Sequence, residues 1–374
     1  MRIGVNARFL LEGKLEGIGL FTHEVLKRLV HLMPESEFIF FFDRAPSEKF
    51  LYAKNVQGVV LPPQARHPIL WYWWFEHSIP SALKKYKIDL FLSTDGYLSL
   101  KTQVPTILTI HDLAFVHFKE HLPYLVHRYF NKYTPRFAKK AKHILTVSEF
   151  SKEDIMEQYN IVPEKITVVG NGCDENIHPL DEKQKLNVKR HYTDKASYFV
   201  YVGAIHPRKN IKGLLEAFDL FKQHYKSDIK LVLVGRWAWK TSETKKTFAA
   251  MKFADDVIAL GHLEREELSK VLGAALALIY PSFFEGFGIP LLEAMYAEVP
   301  VLTSERSSLP EVTDNAALYF NPDRIGEMGQ TMEKIAKDFN LREQLIEEGK
   351  KQRQLFTWDK TAQKVLEVIK AAIQ

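Results

Sequence analysis

Residues 277–293 read ALIYPSFFEGFGIPLLE, and this stretch gives the clearest indication of the fold. Its first four residues are apolar throughout, which is typical of a strand covered on both faces in a parallel sheet. Pro281 and Ser282 then predict a turn, and Pro290 fits the first turn of a helix. A buried strand followed by a glycine-rich turn and a helix indicates the repeating unit of an α/β protein.

The same alternation extends in both directions along the chain. Strands are predicted in the first part at residues 2–5, 38–42, 89–93, 106–110, 143–147 and 166–169. Further strands are predicted at 198–202, 230–234, 257–260, 277–280 and 301–303. Helices are predicted between them at 19–32, 151–159, 211–224, 265–273, 290–296 and 361–372. Such alternation favours parallel sheets built from right-handed βαβ units.

The alternation is interrupted once, where residues 174–197 are polar and charged and give no strand signal. We therefore predict two doubly wound, Rossmann-like domains, residues 1–175 and residues 198–356, joined by a linker at 176–197. The length of 374 residues fits two domains of ordinary size.

The overall composition is that of a globular protein with a formal net charge of only +5. The single cysteine, Cys173, excludes an intramolecular disulfide and a cysteine-based zinc site, and it favours a reducing compartment. The longest uncharged apolar stretch, residues 271–284, is shorter than the roughly 20 residues of a membrane span. We therefore expect a cytoplasmic location.

The turn between the predicted strand at 277–280 and the predicted helix at 290–296 has the features of a ligand site. Gly286 and Gly288 let the backbone approach a ligand closely, and the helix that follows offers free amides to an anion. Glu285 and Glu293 bracket this turn, and carboxylates there suit the hydroxyls of a sugar or ribose. The structural alternative is a glycine-rich turn with a helix-capping glutamate.

A second segment, residues 198–210, points to the same chemistry. It contains a predicted strand, a turn at Gly203, and then Arg208 and Lys209 just before a helix. Two cations at the carboxyl end of a parallel strand suit a diphosphate. The alternative is a solvated Arg-Lys pair in a loop, which is the commoner fate of such pairs.

The first domain carries weaker signals. Gly17 and Gly19 open its first helix but form an incomplete phosphate fingerprint. His111 follows a predicted strand, and it is either a ligand contact or a histidine satisfied by a neighbouring backbone group. His206 and His262 have similar placement and weaker context.

Together these motifs resemble the retaining glycosyltransferases of family 4, which have the GT-B fold. Residues 285–293 match the family's E-x7-E motif, residues 202–210 look like its phosphate segment, and residues 147–151 look like the segment that closes the first domain. Similarity to the O-antigen and exopolysaccharide branch, with its many mannosyltransferases, is carried by residues 5–8, 17–19 and 111–113. That branch often has Asp where Asn6 stands here, which puts a role for that side chain in doubt.

The resemblance implies a role for each matching residue. Arg208 and Lys209 would hold the donor diphosphate and stabilise its charge as it leaves. Glu285 would bind hydroxyls of the donor sugar, and His111 would contact the sugar near its anomeric carbon. The remaining contacts with the nucleotide sugar would come from Gly17, Gly19, Gly203, Phe287, Gly288, Ile289 and, at the ribose, Glu293.

The resemblance further implies two Rossmann-like domains facing a cleft, with acceptor bound by the first, nucleotide sugar by the second, and the final segment, residues 357–374, crossing back to the first. The chain contains no Asp-x-Asp motif, so we expect no metal and no other cofactor, with the two cations in the metal's place. The expected donor is GDP-mannose, and UDP- or dTDP-sugars are the alternatives. An epimerase, a phosphorylase or a non-catalytic nucleotide-sugar-binding protein are further options.

Two stretches of the first domain are both aromatic and basic. Residues 71–75 read WYWWF and are followed by three lysines, whereas residues 119–142 carry seven Lys or Arg against the single Glu120. Such a helix can lie on an anionic membrane, as a lipid-linked acceptor would favour, or it can be a helix with a buried aromatic stripe. No nucleic-acid-binding module accompanies the basic residues, so we expect no nucleic-acid partner.

Overall fold

The uniformly apolar runs form the interiors of two parallel sheets, each within its own structural unit. This computed structural model describes residues 1–237 and 241–373, so the last residue of the predicted segment 357–374 lies outside the described residues. The first unit comprises Met1–Asn171 and Trp358–Gln374, and the second comprises Gly172–Thr357.

The first unit holds a seven-stranded sheet in the order β3-β2-β1-β4-β5-β6-β7, with every neighbouring pair parallel. Its strands are β1 (Arg2–Asn6), β2 (Glu37–Phe42), β3 (Val56–Val60), β4 (Leu90–Ser93), β5 (Thr106–Thr109), β6 (His143–Thr146) and β7 (Ile166–Val168). The helices are α1 (Ile18–Leu32), α2 (Pro68–Trp73), α3 (Ile79–Lys85), α4 (Ala114–His117), α5 (Tyr124–Lys140) and α6 (Glu149–Tyr159), with a π-helical turn at Trp74–Ser78.

The second unit holds a six-stranded parallel sheet in the order β10-β9-β8-β11-β12-β13. Its strands are β8 (Tyr198–Val202), β9 (Lys230–Val234), β10 (Val257–Gly261), β11 (Ala277–Tyr280), β12 (Val301–Ser304) and β13 (Ala317–Phe320). Its helices are α7 (Glu182–Tyr192), α8 (Ile211–His224), α9 (Ser242–Ala250), α10 (Arg265–Gly273), α11 (Ile289–Tyr296), α12 (Leu309–Thr313), α13 (Ile325–Lys337) and α14 (Phe339–Gln352).

The last helix, α15 (Trp358–Ile373), belongs to the first unit and packs against α1. Most of its apolar residues are buried, and the ring of Trp358 lies 6.2 Å from that of Phe21 on α1. At its outer face, Lys364 donates a hydrogen bond to the carbonyl of Val168 in β7. The chain therefore returns to its first unit after the second is complete.

The predicted α/β class is confirmed, and each predicted strand is present. The predicted linker at residues 176–197 differs from the structure, because it carries α7 and lies inside the second unit, which begins at Gly172. Asp181 caps α7 by accepting from the Gln184 amide at 2.7 Å, and Gln184 returns the bond. Val188 is the one buried residue of α7, so the sequence of α7 lacks the apolar periodicity that predicts a helix.

Each sheet changes winding direction once, between β1 and β4 in the first unit and between β8 and β11 in the second. Ligands of doubly wound folds bind at the carboxyl ends of the strands at such a switch point. The segments that follow these four strands are therefore where function is expected. No described helix is long and apolar enough to cross a membrane.

Candidate active site

The segments that follow β8 and β11 are joined at the switch point of the second sheet. The backbone amide of Phe283 donates to the carbonyl of Arg208 at 2.9 Å. Asn210 has a left-handed backbone and caps α8, since its side chain accepts from the Gly213 amide. Gly203 follows β8 directly, as predicted, and opens the turn that leads to Arg208.

Arg208, Lys209 and Glu285 form one ion cluster at the carboxyl ends of the neighbouring strands β8 and β11. The Arg208 guanidinium lies 3.2 Å from Glu285 Oε2, and the Lys209 ammonium donates to Glu285 Oε1. Only 20% of the Arg208 side chain, 14% of Lys209 and 8% of Glu285 is exposed. Tyr280, the last residue of β11, adds a hydroxyl group 3.0 Å from Lys209 Nζ and 3.2 Å from Glu285 Oε1.

Glu285 is ionised because of this cluster. Burial by itself raises the pKa of a carboxyl group, but the charges of Lys209 and Arg208 outweigh it and lower the pKa of Glu285 to about 2. The backbone amide of Glu285 donates to Ser307 Oγ at 3.0 Å, which fixes the turn. An ionised carboxylate accepts hydrogen bonds and holds no proton to give, so Glu285 is suited to binding hydroxyl groups.

The turn between Glu285 and α11 can offer its backbone to a ligand, while the large side chain of Phe287 points inward. Gly288 has φ of +98°, and a Cβ there would lie 2.9 Å from Leu309, so the position requires glycine. Ile289 is the first residue of α11. The Phe287 ring is buried against Phe356 at 5.3 Å, so Phe287 can serve a ligand through its backbone only.

Glu293 lies one turn into α11 and is buried beside a cation that the sequence did not reveal. Arg265, at the start of α10, donates to Glu293 Oε1 at 2.7 Å and lies 3.7 Å from Asp174. Burial raises the pKa of Glu293, and Arg265 opposes this rise. Cys173 is buried in the same surroundings, where burial and the Glu293 charge raise the pKa of its thiol. The amphipathic pattern of α10 gave no signal for Arg265, since its partner is 28 residues away.

His111 follows β5 in the first unit, and its ring orientation is fixed. Nε2 lies 2.8 Å from the Thr94 carbonyl, which can only accept, so Nε2 carries the proton and Nδ1 keeps its lone pair. Burial lowers the pKa of His111, although the Thr94 carbonyl opposes this. The Phe21 ring packs edge-on against the imidazole at 4.9 Å. His111 is therefore both satisfied by a backbone group and held in one tautomer.

Gly17 and Gly19 open α1, as predicted. Gly17 is exposed, with φ of +47°, and a Cβ on Gly19 would lie only 2.9 Å from the Phe9 carbonyl oxygen. The loop that follows β1 therefore packs tightly on the start of α1. His206 accepts from the Arg208 amide at 3.2 Å, whereas His262 is exposed beyond β10.

Asn6 and Arg8 lie where the first sheet changes direction, and both are committed to internal contacts. The Asn6 amide donates to Ser93 Oγ at 3.1 Å. Arg8 forms a buried ion pair with Asp95, with Nε 2.6 Å from Oδ2. The Asn6 side chain thus joins the ends of β1 and β4, which gives it a structural role.

The predicted residues thus divide between the two units. The structure brings Arg208, Lys209 and Glu285 together and places Glu293 on α11 beside Arg265, whereas Gly17, Gly19 and His111 belong to the first unit. Within residues 1–237 and 241–373, no three His, Cys, Asp or Glu side chains are grouped so as to hold a metal ion.

Comparison with known proteins agrees with this geometry. Residues 182–352 match the family described as Glycosyl transferases group 1, and residues 15–176 match Glycosyltransferase Family 4. The O-antigen chain mannosyltransferase RfbU of Salmonella typhimurium is 30% identical over 68% of this chain and 67% of its own length. The chain belongs to glycosyltransferase family 4. It is therefore a hexosyltransferase, and it lies close to the O-antigen mannosyltransferases of that family.

A further relative and two solved structures are similar to this chain over nearly its whole length. The O-antigen chain mannosyltransferase B of Escherichia coli is 29% identical over 92% of this chain and 93% of its own length. Sucrose-phosphate synthase of Thermosynechococcus elongatus superposes with a TM-score of 0.80 at 15% identity, covering 99% of this chain and 98% of that one. The glycosyltransferase WaaG has a TM-score of 0.78 at 14% identity, with 99% of each chain covered. These neighbours confirm the GT-B fold.

Proposed function

We propose that this glycosyltransferase moves mannose from GDP-mannose, with retention of configuration, to a saccharide or lipid-linked acceptor in cell-surface polysaccharide synthesis. The observation that carries the proposal is the cluster of Arg208, Lys209 and Glu285 at the switch point of the second sheet. The choice of mannose rests on the full-length similarity to an O-antigen mannosyltransferase. The second unit binds the nucleotide sugar in this proposal, and the first binds the acceptor.

A panel of nucleotides tests the donor. A ligand that binds the native state raises the melting temperature, and at equal concentration a tighter ligand raises it more, so the preferred nucleoside diphosphate gives the largest shift. We expect GDP to exceed UDP, dTDP and ADP at equal concentration. A larger shift with UDP or dTDP would replace GDP-mannose by the corresponding donor. Shifts with nucleotide but no transfer to any acceptor would identify a non-catalytic nucleotide-sugar-binding protein.

Transfer requires that the leaving diphosphate be stabilised. In the proposed step, the bond between the anomeric carbon and the diphosphate oxygen breaks, and the acceptor oxygen attacks from the same face. The acceptor proton passes to the departing phosphate oxygen. Arg208 and Lys209 meet the negative charge that develops on the diphosphate, as preorganised electrostatic groups. Glu285, which is ionised, accepts hydrogen bonds from sugar hydroxyls and is a poor proton donor.

The remaining predicted roles complete the donor site. Glu293 accepts hydrogen bonds from the ribose, with Arg265 holding its carboxylate. The turn at Phe287, Gly288 and Ile289 offers backbone amides, supported by the positive end of α11. In the first unit, Gly17 and Gly19 allow a close approach to the donor phosphates, while His111 contacts the sugar through Nδ1, the nitrogen opposite its bond with Thr94.

Removal of either cation tests the assignment. Lys209→Ala and Arg208→Ala should each lower turnover by at least about a hundredfold, which is the scale of losing one charge-stabilising group. Lys212→Ala is the matched control, since this lysine lies in the first turn of α8 with 53% of its side chain exposed. Near-normal turnover in Lys209→Ala or Arg208→Ala would reject the assignment.

The two cations also take the place of a divalent metal in this proposal. Glycosyltransferases that use a metal place it on the diphosphate, where it neutralises the same charge. We expect transfer to continue at an unchanged rate in excess chelator. A loss of activity that Mg²⁺ or Mn²⁺ restores would contradict metal independence without contradicting the roles of Arg208 and Lys209.

We further propose that the enzyme works at the cytoplasmic face of a membrane, through α5 and its neighbour α2. The aromatic residues of α5 mostly pack inward, since Tyr129 and Phe137 are buried in the core. Its basic residues and those beside it are exposed: Lys119, Arg128, Lys132, Arg136, Lys139, Lys140 and Lys142. Tyr124 is 71% exposed on α5, and Trp73 is 51% exposed on α2. Exposed cations beside exposed aromatic rings are typical of contact with anionic lipid.

Sedimentation with phosphatidylglycerol vesicles tests this contact. We expect binding that weakens at high salt and that falls several-fold in Arg128→Glu/Lys132→Glu. Lys212→Glu on the second unit is the control for a simple change of net charge and should bind like the wild type. No sedimentation at low salt, or an equal loss in the control, would reject the membrane contact.

A further inference from the structure

Tyr280 stands out because it is a polar group at the end of an otherwise apolar strand. It is the last residue of β11, is only 1% exposed, and lies five residues before Glu285. A buried phenol must find hydrogen-bond partners, and backbone carbonyls are the usual ones. Here the hydroxyl instead meets Lys209 Nζ at 3.0 Å and Glu285 Oε1 at 3.2 Å.

The direction of these two hydrogen bonds follows from the partners. A Lys ammonium can only donate, and an ionised carboxylate can only accept. The Tyr280 hydroxyl therefore accepts from Lys209 and donates to Glu285. Burial and the Glu285 charge raise the pKa of Tyr280 well above its usual value, so the phenol keeps its proton throughout the neutral range.

We propose that the Tyr280 hydroxyl is a positioning group for glycosyl transfer, which orients the Lys209 ammonium toward the donor diphosphate. This inference rests on the proposed function of Lys209. Glu285 also holds Lys209, but a carboxylate neutralises the charge that it orients. A phenol is a neutral anchor, so it fixes the ammonium and leaves its charge for the phosphate. An ammonium held in place meets the developing charge without reorganisation, which is the source of electrostatic catalysis.

The chain provides a close control for Tyr280 in Tyr201. The two rings stack with centroids 6.1 Å apart and planes 17° apart, and both residues are almost wholly buried on adjacent strands. The Tyr201 hydroxyl donates to the Ala204 carbonyl at 3.1 Å, so this hydrogen bond goes to the backbone rather than to Lys209 or Glu285, although the charges of Glu285 and Arg208 also act on the Tyr201 phenol. A change from tyrosine to phenylalanine removes the same atom from each ring, so loss of packing is equal in the two variants.

Phenylalanine at position 280 also preserves a second contact. The Lys209 ammonium lies 5.3 Å from the centroid of the Tyr280 ring, an attraction that a phenylalanine ring retains. Tyr280→Phe therefore deletes only the hydroxyl's bonds to Lys209 and Glu285. Lys209 then keeps its ion pair with Glu285 but loses the neutral hydroxyl anchor.

The test compares steady-state kinetics of the full chain with the nucleotide sugar that wins the nucleotide panel. We expect Tyr280→Phe to lower kcat about tenfold, with KM for the nucleotide sugar changed less than about twofold, because one hydrogen bond of average strength orients the ammonium. Tyr201→Phe should leave both constants within about twofold of the wild type. Melting temperatures of the two variants should fall by similar amounts.

The outcomes separate the two proposals. Equal kinetics in Tyr280→Phe and Tyr201→Phe, or a rise in KM with unchanged kcat, would overturn the positioning role of Tyr280. If Lys209→Ala itself keeps near-normal turnover, the assignment of Lys209 fails first, whatever Tyr280→Phe does. A hundredfold loss in Lys209→Ala with an unaffected Tyr280→Phe would overturn the role of Tyr280 alone.

Discussion

The low pKa of Glu285 predicts how the stability of the protein depends on pH. Glu285→Gln keeps the size of the side chain but removes the charge that Lys209 and Arg208 stabilise. At neutral pH the variant should therefore unfold more easily than the wild type. As the pH falls toward 2, the wild-type carboxylate itself becomes protonated, so the two proteins should converge.

The magnitude follows from linkage between protonation and folding. The pKa of Glu285 is about 2 in the folded protein against an ordinary value of 4.5, and a shift of one pKa unit corresponds to about 1.4 kcal/mol. Ionised Glu285 in its cluster thus contributes about 3.5 kcal/mol to the free energy of unfolding. Because the folded pKa is depressed, this contribution is present above about pH 4.5 and is lost progressively between pH 4.5 and 2.

Urea unfolding of both proteins, at one-unit steps from pH 7 to pH 3, measures the difference directly. Other carboxylates titrate in both proteins, so their effects cancel in the difference. Asp255→Asn is the control, since Asp255 is exposed beside β10, and its curve should stay parallel to that of the wild type. A difference between Glu285→Gln and the wild type that stays constant from pH 6 to pH 3 would refute the reasoning.

Three further changes have defined outcomes. Arg265→Gln removes the cation that opposes the rise in the pKa of Glu293 on burial, so the variant's dissociation constant for GDP should rise more steeply than that of the wild type as the pH is lowered from 8; calorimetry giving parallel pH curves would contradict this. Gly19→Ala places a Cβ 2.9 Å from the Phe9 carbonyl and should lower the melting temperature, whereas Gly326→Ala in α13, where that Cβ meets no atom within 4 Å, should be neutral or stabilising by up to about 1 kcal/mol. Trp358→Ala removes a buried ring from α15 and should destabilise the first unit by about 3–5 kcal/mol, measured by hydrogen exchange in α1; unchanged exchange there would count against the packing of α15 on α1.

Most of the strands that the sequence predicts are apolar throughout, although the edge strands β7 and β10 were predicted with several residues partly exposed. Residues 198–202 and 277–280 are buried throughout and were predictable for that reason. The two strands that were not predicted, β3 and β13, lie at sheet edges, where several residues are partly exposed. A half-covered strand needs fewer apolar residues, so its pattern is weaker.

The site divides in a similar way. The two motifs predicted that Arg208 and Lys209 follow one parallel strand and that Glu285 follows another, which places them at ligand-binding strand ends. They did not predict that the three side chains form one ion cluster. Arg265 and Tyr280 could not be predicted, since one looks like a surface residue of an amphipathic helix and the other like the end of an apolar strand. Their importance lies in the tertiary contacts with Glu293 and Lys209.

The return of α15 to the first unit sets an order of events during synthesis. Residues 1–171 leave the ribosome before α15, the helix that packs against α1. That helix is made only after the whole of the second unit. The second unit, by contrast, is one uninterrupted segment and has all its parts as soon as Thr357 has emerged. Until α15 is made, the residues of α1 that pack against it stay uncovered, and exposed apolar surface of this kind favours aggregation during folding.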